Sequence, residues 1–253
     1  MVKKLTLILL GGLLAVSSVM AGTGPQKVEY TPHNFSSNAD NFWFSQYKST
    51  NEDEICVFCH TPHGGSLDGP LWNRDLTPNT GYTHYTSDTL SSAVGASNRA
   101  VNSESLVCLA CHDGSIGIGD NLLNPGGVIP DNDTTKIQIG WNANLAISVP
   151  GPQIGASLSN LTSNTDLSDD HPISFSYSAV LADKPGTLNS VASVETAGLV
   201  LFGAGENVEC STCHDPHVSY IVDAAFPGAD AAYDPFLAIP NTGSSMCLTC
   251  HIK

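Results

Sequence analysis

The sequence has few basic residues, few aromatic residues and few long apolar runs. Its 253 residues include nine Lys and Arg against 24 Asp and Glu, which gives a formal net charge of −15. Such an acidic surface repels a phosphate backbone, which argues against a nucleic-acid-binding protein. Only 7% of the residues are aromatic and 13% are charged, while 23 Gly and 15 Pro interrupt regular structure. We therefore expect neither long helices nor a thick core of side chains.

An apolar run opens the chain. Lys3 and Lys4 precede the apolar segment 5–16, and Val19-Met20-Ala21 provides the small residues of a cleavage site. This pattern predicts a removable signal peptide over residues 1–21, with a retained N-terminal anchor as the alternative. After residue 21 the most apolar stretch lies near 197–204, and it is too short to span a bilayer. We expect an exported protein, periplasmic or extracellular at the cell surface, with no membrane span in the mature chain.

All eight cysteines fall into four copies of the motif Cys-x-x-Cys-His. The copies are Cys56, Cys59 and His60; Cys108, Cys111 and His112; Cys210, Cys213 and His214; and Cys247, Cys250 and His251. This motif is the attachment signature of c-type haem, in which two thiols bond the porphyrin edge and the next imidazole ligates the iron. One helical turn places the two cysteines on one face and carries the histidine under the macrocycle. We predict four covalent haems, because the alternatives of disulfides or structural zinc do not explain a His after every pair.

The second axial ligand of each iron must come from elsewhere in the chain. Five histidines lie outside the motifs: His33, His63, His84, His171 and His217. The single methionine after the leader, Met246, directly precedes Cys247 and is badly placed for the opposite face of its own haem. Five histidines can therefore supply four irons, which favours bis-histidine coordination throughout.

Each of these five histidines has its own sequence context. His63 and His217 follow a motif in the pattern Cys-His-x-Pro-His, too close to cross their own macrocycle, so we expect them to reach a neighbouring iron. His171 opens a segment with alternating apolar residues at 173, 175 and 177, which predicts a half-buried strand, and Asp169 or Asp170 could orient its ring. The residues alone leave His33 and His84 as equal candidates for the remaining position.

Several segments of the sequence resemble a known family. They are TPHNFS at 31–36, CVFCHTPH at 56–63 with the following PLWNR, CLACHDG at 108–114, DLSDDHPISF at 166–175 and CSTCHDPH at 210–217. They are similar to bacterial multihaem c-type cytochromes with doubled haem motifs, and to the tetrahaem cytochromes that polymerise into extracellular conductive filaments. The resemblance covers roughly 22–125 and 165–253. It implies that His33 and His171 are axial ligands, and so it favours His33 over His84, which becomes the spare histidine.

The motifs divide the chain into two haem-pair regions, 22–125 and 171–253, separated by a haem-free insert at 126–170. Apolar residues at odd positions from 137 to 149 predict a strand or hairpin in the insert, and a Ser or Thr cap predicts short helices at 103–112 and 244–251. The expected fold is mostly irregular coil with short α-helices and a few β-strands, in which stacked haems form the core. Arg74 and Arg99 are candidate partners for haem propionates, with a solvated surface side chain as the alternative for each.

These observations predict an electron-transfer protein and not an enzyme, because an iron with two protein ligands has no position left for substrate. The partners we expect are redox cytochromes or extracellular acceptors, together with further copies of the chain in a head-to-tail filament, where His63 or His33 would ligate in trans. A monomeric periplasmic shuttle is one alternative. A haem enzyme with one open iron, reducing nitrite or hydroxylamine, is another, although the sequence lacks a Cys-x-x-Cys-Lys motif.

Overall fold

The computed structural model describes residues 24–38, 49, 52–74, 76, 81–113, 122–123, 165–223 and 228–253. The expected signal peptide and the expected strand between 137 and 149 lie outside these residues. Of the insert predicted at 126–170, only 165–170 are described. None of the helices in the described ranges is both long and apolar enough to cross a membrane.

The described residues form short helices and very short strands joined by coil. The helices are α1 (Ser103–His112), α2 (Tyr177–Asp183), α3 (Val191–Thr196), α4 (Cys210–Cys213) and α5 (Ser245–Cys250). Five single-turn 3-10 helices lie at Val28–Tyr30, Cys56–Phe58, Ser92–Val94, Ala231–Tyr233 and Thr242–Ser244. Strands β1 (Thr83–His84) and β2 (Asp166–Leu167) pair in parallel, and β3 (Phe175–Ser176) and β4 (Asn207–Val208) pair antiparallel.

The helices expected around the second and fourth motifs lie at α1 and α5, but the caps differ from the expectation. The N-cap of α1 is Asn102, whose side chain makes no capping hydrogen bond, and the N-cap of α5, Ser244, makes none either. The strand expected over 173–177 ends at Ser176. Its hydroxyl accepts a hydrogen bond from the backbone N–H of Ala179 and caps α2, so Tyr177 begins a helix.

Apolar side chains gather in three separate clusters within the described part of the chain. The largest joins α2, α3 and β4 and comprises Tyr177, Val194, Leu199, Leu201, Val208, Ala238 and Ile239. Met246 packs against this cluster. The second comprises Val57, Phe58 and Leu122, and the third Tyr82, Val101, Leu106, Leu109 and Leu167. Each of the two smaller clusters includes residues of one Cys-x-x-Cys-His turn, so the apolar packing is built around the motifs.

Candidate haem sites

Each Cys-x-x-Cys-His motif folds as one helical turn. In three of them the backbone N–H of the histidine donates to the carbonyl of the first cysteine: His60 to Cys56 at 2.8 Å, His214 to Cys210 at 2.9 Å, and His251 to Cys247 at 2.9 Å. The second motif, which ends at His112, lies entirely within α1. The turn brings both thiols and the imidazole to one side of the chain, as attachment to one porphyrin requires.

The thiols of consecutive motifs lie close together. All eight cysteines are free and lie in the described ranges. The thiols of Cys108 and Cys210 lie close enough for each to shift the pKa of the other, upward for Cys108 and downward for Cys210, so the second motif adjoins the third. Burial, followed by the charges of Cys250 and other neighbouring thiols, raises the pKa of Cys213 to about 12. The third motif therefore adjoins the fourth.

The first motif adjoins the second in the same way. Burial raises the pKa of the Cys59 thiol to about 11, where the nearby Arg74 acts to lower it and Cys111 acts to raise it. The pKa of Cys111 is also raised, chiefly by burial, and Arg74 again opposes the shift. Arg74 therefore lies near one thiol of each of these two motifs.

Three motif histidines each face one histidine from outside the motifs. The ring centroids are 6.2 Å apart for His60 and His217, 6.2 Å for His33 and His112, and 6.3 Å for His171 and His251. A metal bound between two imidazoles, with metal–nitrogen bonds of about 2 Å and roughly 1 Å more to each ring centre, would separate the centroids by about 6 Å. The three pairs therefore fit axial coordination of one iron by two rings.

Ordinary aromatic packing is the alternative account of these contacts, because aromatic pairs cover the same range of distances. The other ring contacts of the described residues vary more widely, from 4.6 Å for His33 with Phe236 to 6.0 Å for His33 with Phe35. The histidine pairs, by contrast, agree within 0.1 Å. Three nearly equal spacings, each with one motif histidine, favour a shared chemical cause over chance packing.

In four of the candidate ligand histidines, a hydrogen bond from one ring nitrogen leaves the other nitrogen to face a metal. The Nδ1 atoms of His60, His214 and His171 donate to the carbonyls of Pro70, Pro235 and Pro172, at 2.7, 3.0 and 2.8 Å. The Nδ1 of His217 donates to a carboxylate oxygen of Asp215 at 2.8 Å. A neutral imidazole that donates through Nδ1 has no proton on Nε2, which is then free to ligate a metal.

His33 is held in the neutral form by its surroundings. Burial, and then the neighbouring His112 and His217, lower the pKa of its ring to about 3. Its Nδ1 is buried and has no hydrogen-bond partner among the described residues. A neutral ring is the form that an iron ligand requires, so the arm of the chain that carries His33 presents it to the second motif in a suitable state.

The expectation that Asp169 or Asp170 orients His171 is wrong, because the ring bonds to the carbonyl of Pro172. A carboxylate plays this part at His217 instead. Asp215 is 8% exposed and accepts three hydrogen bonds: from Nδ1 and the backbone N–H of His217, and from Nε2 of Gln26. Sequence reasoning missed Asp215, although an acidic residue two positions before a candidate ligand is a visible signal.

The remaining two histidines outside the motifs occupy different environments. His84 is 1% exposed, and its Nε2 contacts the carbonyl of Arg99 at 3.1 Å. It therefore lies in the protein interior, where burial lowers the pKa of its ring. His63 is exposed, and its backbone carbonyl accepts a hydrogen bond from the hydroxyl of Thr61. The motif histidine His214 is also exposed. Among the described residues, no other histidine ring faces it.

The two arginines also differ. Arg74 is 1% exposed and donates from Nε to the carbonyl of Phe58 at 2.9 Å, so the alternative of a solvated side chain is wrong for it. Arg99 is half-buried and donates from Nε and Nη2 to the carbonyl of Ile173. It thereby anchors the segment that follows His171. Binding of a propionate remains a prediction for both.

No group of three or more His, Cys, Asp or Glu side chains in the described part of the chain has the geometry of a metal site. Haem iron needs only one protein ligand on each face, so the pairs are the relevant arrangement. Comparisons with protein-family models and with curated proteins give no match to this chain. Four thiol pairs, each with an adjacent imidazole, fit the attachment of four c-type haems, and three of these imidazoles also face a second one.

Proposed function

We propose that the chain is a tetrahaem c-type cytochrome that carries electrons over long distances outside the cytoplasm, as a subunit of a cytochrome filament. The observation that carries this proposal is the facing of three motif histidines by His217, His33 and His171 at nearly one distance. When bound, haem supplies one-electron redox chemistry. The sequence resemblance to multihaem cytochromes supports the same function.

The protein's own residues hold and orient the four groups in this proposal. The eight cysteines would attach them, and His60, His112, His214 and His251 would take one face of each iron. His217, His33 and His171 would take the opposite face of the first, second and fourth irons. An iron capped on both faces offers no position to a substrate, so these three sites are suited to electron transfer and not to catalysis.

We propose assembly into a filament because the third iron would lack a second ligand from its own chain. His214 lacks a facing histidine among the described residues, while His63 is exposed and lies three residues after the histidine of the first motif. His63 of one copy would therefore ligate the iron at His214 of the next copy. Such a contact joins different surfaces of two copies and can repeat without closing, which produces a filament. His33, the other candidate for ligation in trans, faces His112 within the chain.

Two other functions are compatible with the same residues. If His63 reached His214 within one chain, all four irons would be capped in a monomer, and the protein would be a periplasmic shuttle. If His214 had no partner in any copy, its iron would be open, and reduction of a small molecule such as nitrite or hydroxylamine would become feasible.

The test compares the exported protein with the variants His63→Ala and His84→Ala. We expect four haems by mass spectrometry, only low-spin signals by electron paramagnetic resonance, and filaments by negative-stain microscopy. His63→Ala should give one high-spin haem and no filaments, whereas His84→Ala should keep both properties because His84 faces no motif histidine.

Each alternative has its own outcome. Monomers with four fully capped haems would reject ligation in trans and favour the shuttle. Carbon monoxide binding to the reduced wild-type protein would favour the enzyme. Fewer than four haems would overturn the proposal as a whole.

A further inference from the structure

A buried carboxylate lies between the second and third motifs. Glu209 is 1% exposed and directly precedes α4, the helix of Cys210 and Cys213. Its Oε1 accepts a hydrogen bond from Nδ2 of Asn102 at 2.6 Å. Its Oε2 accepts from the hydroxyls of Ser105 at 2.5 Å and Ser174 at 2.9 Å. The three donors come from two segments far from Glu209 in sequence, so this side chain joins three parts of the chain.

These hydrogen bonds link the two helices that would carry neighbouring haems. Asn102 and Ser105 lie at the start of α1, the helix of Cys108 and Cys111. The hydroxyl of Ser105 donates to Glu209 and also accepts from the backbone N–H of Cys210 at 3.0 Å. The thiols of Cys108 and Cys210 are neighbours in the same region. Glu209 therefore holds the attachment points of the second and third haems against each other.

The same carboxylate also contacts the segment that carries His171, a proposed iron ligand. The hydroxyl of Ser174 accepts from the backbone N–H of Asn102 at 3.0 Å while it donates to Glu209. Ser174 lies three residues after His171, which faces the fourth motif. One side chain thus fixes the relative positions of elements that serve the second, third and fourth haems.

Burying a carboxylate that has no ion-pair partner is costly. Among the described residues no Lys or Arg makes an ion pair with Glu209, although its charge acts to raise the pKa of the nearby Arg99. Burial raises the pKa of Glu209, while the hydrogen bonds from Ser105, Asn102 and Ser174 act in the opposite direction. An apolar residue at this position would avoid the cost but could not accept three hydrogen bonds from two other segments. The hydrogen bonds to two other segments, and not apolar packing, therefore account for a carboxylate at this buried position.

We infer that Glu209 is a positioning residue that fixes α1 against α4 and so sets the gap between the second and third haems. The inference rests on the proposed function, because it concerns haems attached to these two helices. Electron transfer between haems depends on how closely their porphyrin edges approach, and such distances must be held within fractions of an ångström to be reproducible.

The test separates the reach of the side chain from its charge. Glu209→Asp keeps the charge but is one methylene too short to contact Asn102 and both hydroxyls together. Glu209→Gln keeps the reach and loses the charge, with Asn102 able to turn its amide to match. Glu195→Asp is the control, because Glu195 is exposed on α3.

Two measurements are made on the full exported protein with its haem content determined first. Circular dichroism in the Soret region reports coupling between adjacent haems. Hydrogen exchange in the peptide 207–213 reports how firmly α4 is held. We expect Glu209→Asp to reduce the Soret couplet and to speed exchange about tenfold, the effect of losing roughly one hydrogen bond to a charged group. Glu209→Gln and Glu195→Asp should resemble the wild type.

An unchanged couplet in Glu209→Asp would overturn the inference. A change in haem potentials in Glu209→Gln but not in Glu209→Asp, with the couplet unchanged in both, would assign Glu209 an electrostatic role instead. If Glu209→Asp fails to bind four haems, Ser105→Ala removes one of the three donors in a milder way, and an unchanged couplet there would also reject the inference. A wild-type protein with fewer than four haems would instead contradict the proposed function, so the two failures are distinct.

Discussion

Replacement of Asp215 by Asn probes how the chain orients a proposed iron ligand. The carboxylate accepts from Nδ1 of His217 at 2.8 Å, from its backbone N–H at 3.0 Å and from Nε2 of Gln26 at 2.8 Å. An amide keeps one oxygen for the two hydrogen bonds from His217 but removes the negative charge that strengthens them, and its NH2 group faces the amide of Gln26. Because a hydrogen bond to a charged group contributes about 1.5–3 kcal/mol, we expect the free energy of unfolding to fall by about 2 kcal/mol.

The effect of this replacement should depend on pH. Burial acts to raise the pKa of the Asp215 carboxyl, but the hydrogen bonds from His217 and Gln26 lower it to about 2, from an ordinary value of 3.8. A carboxyl whose pKa is lower in the folded state than in the unfolded state stabilises the protein at pH values above the unfolded pKa. This stabilisation is lost as the pH falls through the folded pKa. The difference in the free energy of unfolding between the wild type and Asp215→Asn should therefore be largest above pH 4 and decrease as the pH approaches 2.

The variant should also raise the reduction potential of the first haem, because a carboxylate that accepts from Nδ1 makes the imidazole a more basic ligand. Denaturant unfolding at several pH values and a spectroelectrochemical titration measure the two effects. Asp169→Asn is the matched control: Asp169 also lies two residues before a candidate ligand, His171, but that ring bonds to the carbonyl of Pro172. Equal effects of the two replacements, or none from either, would refute the reasoning.

Two further predictions concern the core. Val194 is fully buried in the largest apolar cluster, so Val194→Ala should lower the free energy of unfolding by about 1–3 kcal/mol without altering the haem spectrum, as a urea titration with Soret detection would reveal. Replacement of all eight cysteines by Ser should abolish the cooperative thermal transition, because the apolar clusters are separate and small; a native-like melt by far-ultraviolet circular dichroism would contradict this account.

The sequence was most informative where the chemistry is local. The spacing of cysteines and histidine predicted one helical turn per motif, and the backbone hydrogen bonds of His60, His214 and His251 have that form. The helix predicted at 103–112 is present because apolar residues Leu106 and Leu109 turn one face inward. The strand prediction was wrong after Ser176, since a single hydroxyl acting as a helix cap outweighed the alternation of apolar residues.

Pairing of the histidines depends on contacts between distant segments, so it could not be derived from spacing. The residues alone left His33 and His84 equal; the structure places His33 opposite His112, and His84 against the carbonyl of Arg99. The two acidic residues at equivalent positions, Asp169 and Asp215, illustrate the same limit. Whether a carboxylate reaches the ring two residues later is decided by the local turn, and only Asp215 does so.

In the proposed function, the contacts between thiols set the order in which electrons would pass the four motifs. Cys59 lies near Cys111, Cys108 near Cys210, and Cys213 near Cys250, so each motif adjoins the next one in the sequence. A path that follows the chain order ends at the first and fourth motifs. His63, which belongs to the first motif's segment, would need to reach His214 of the third motif in another copy. In the proposed filament, the contact between copies would therefore bring the first motif of one subunit to the third motif of the other, so electrons would pass between subunits at the third motif and not at the end of the path.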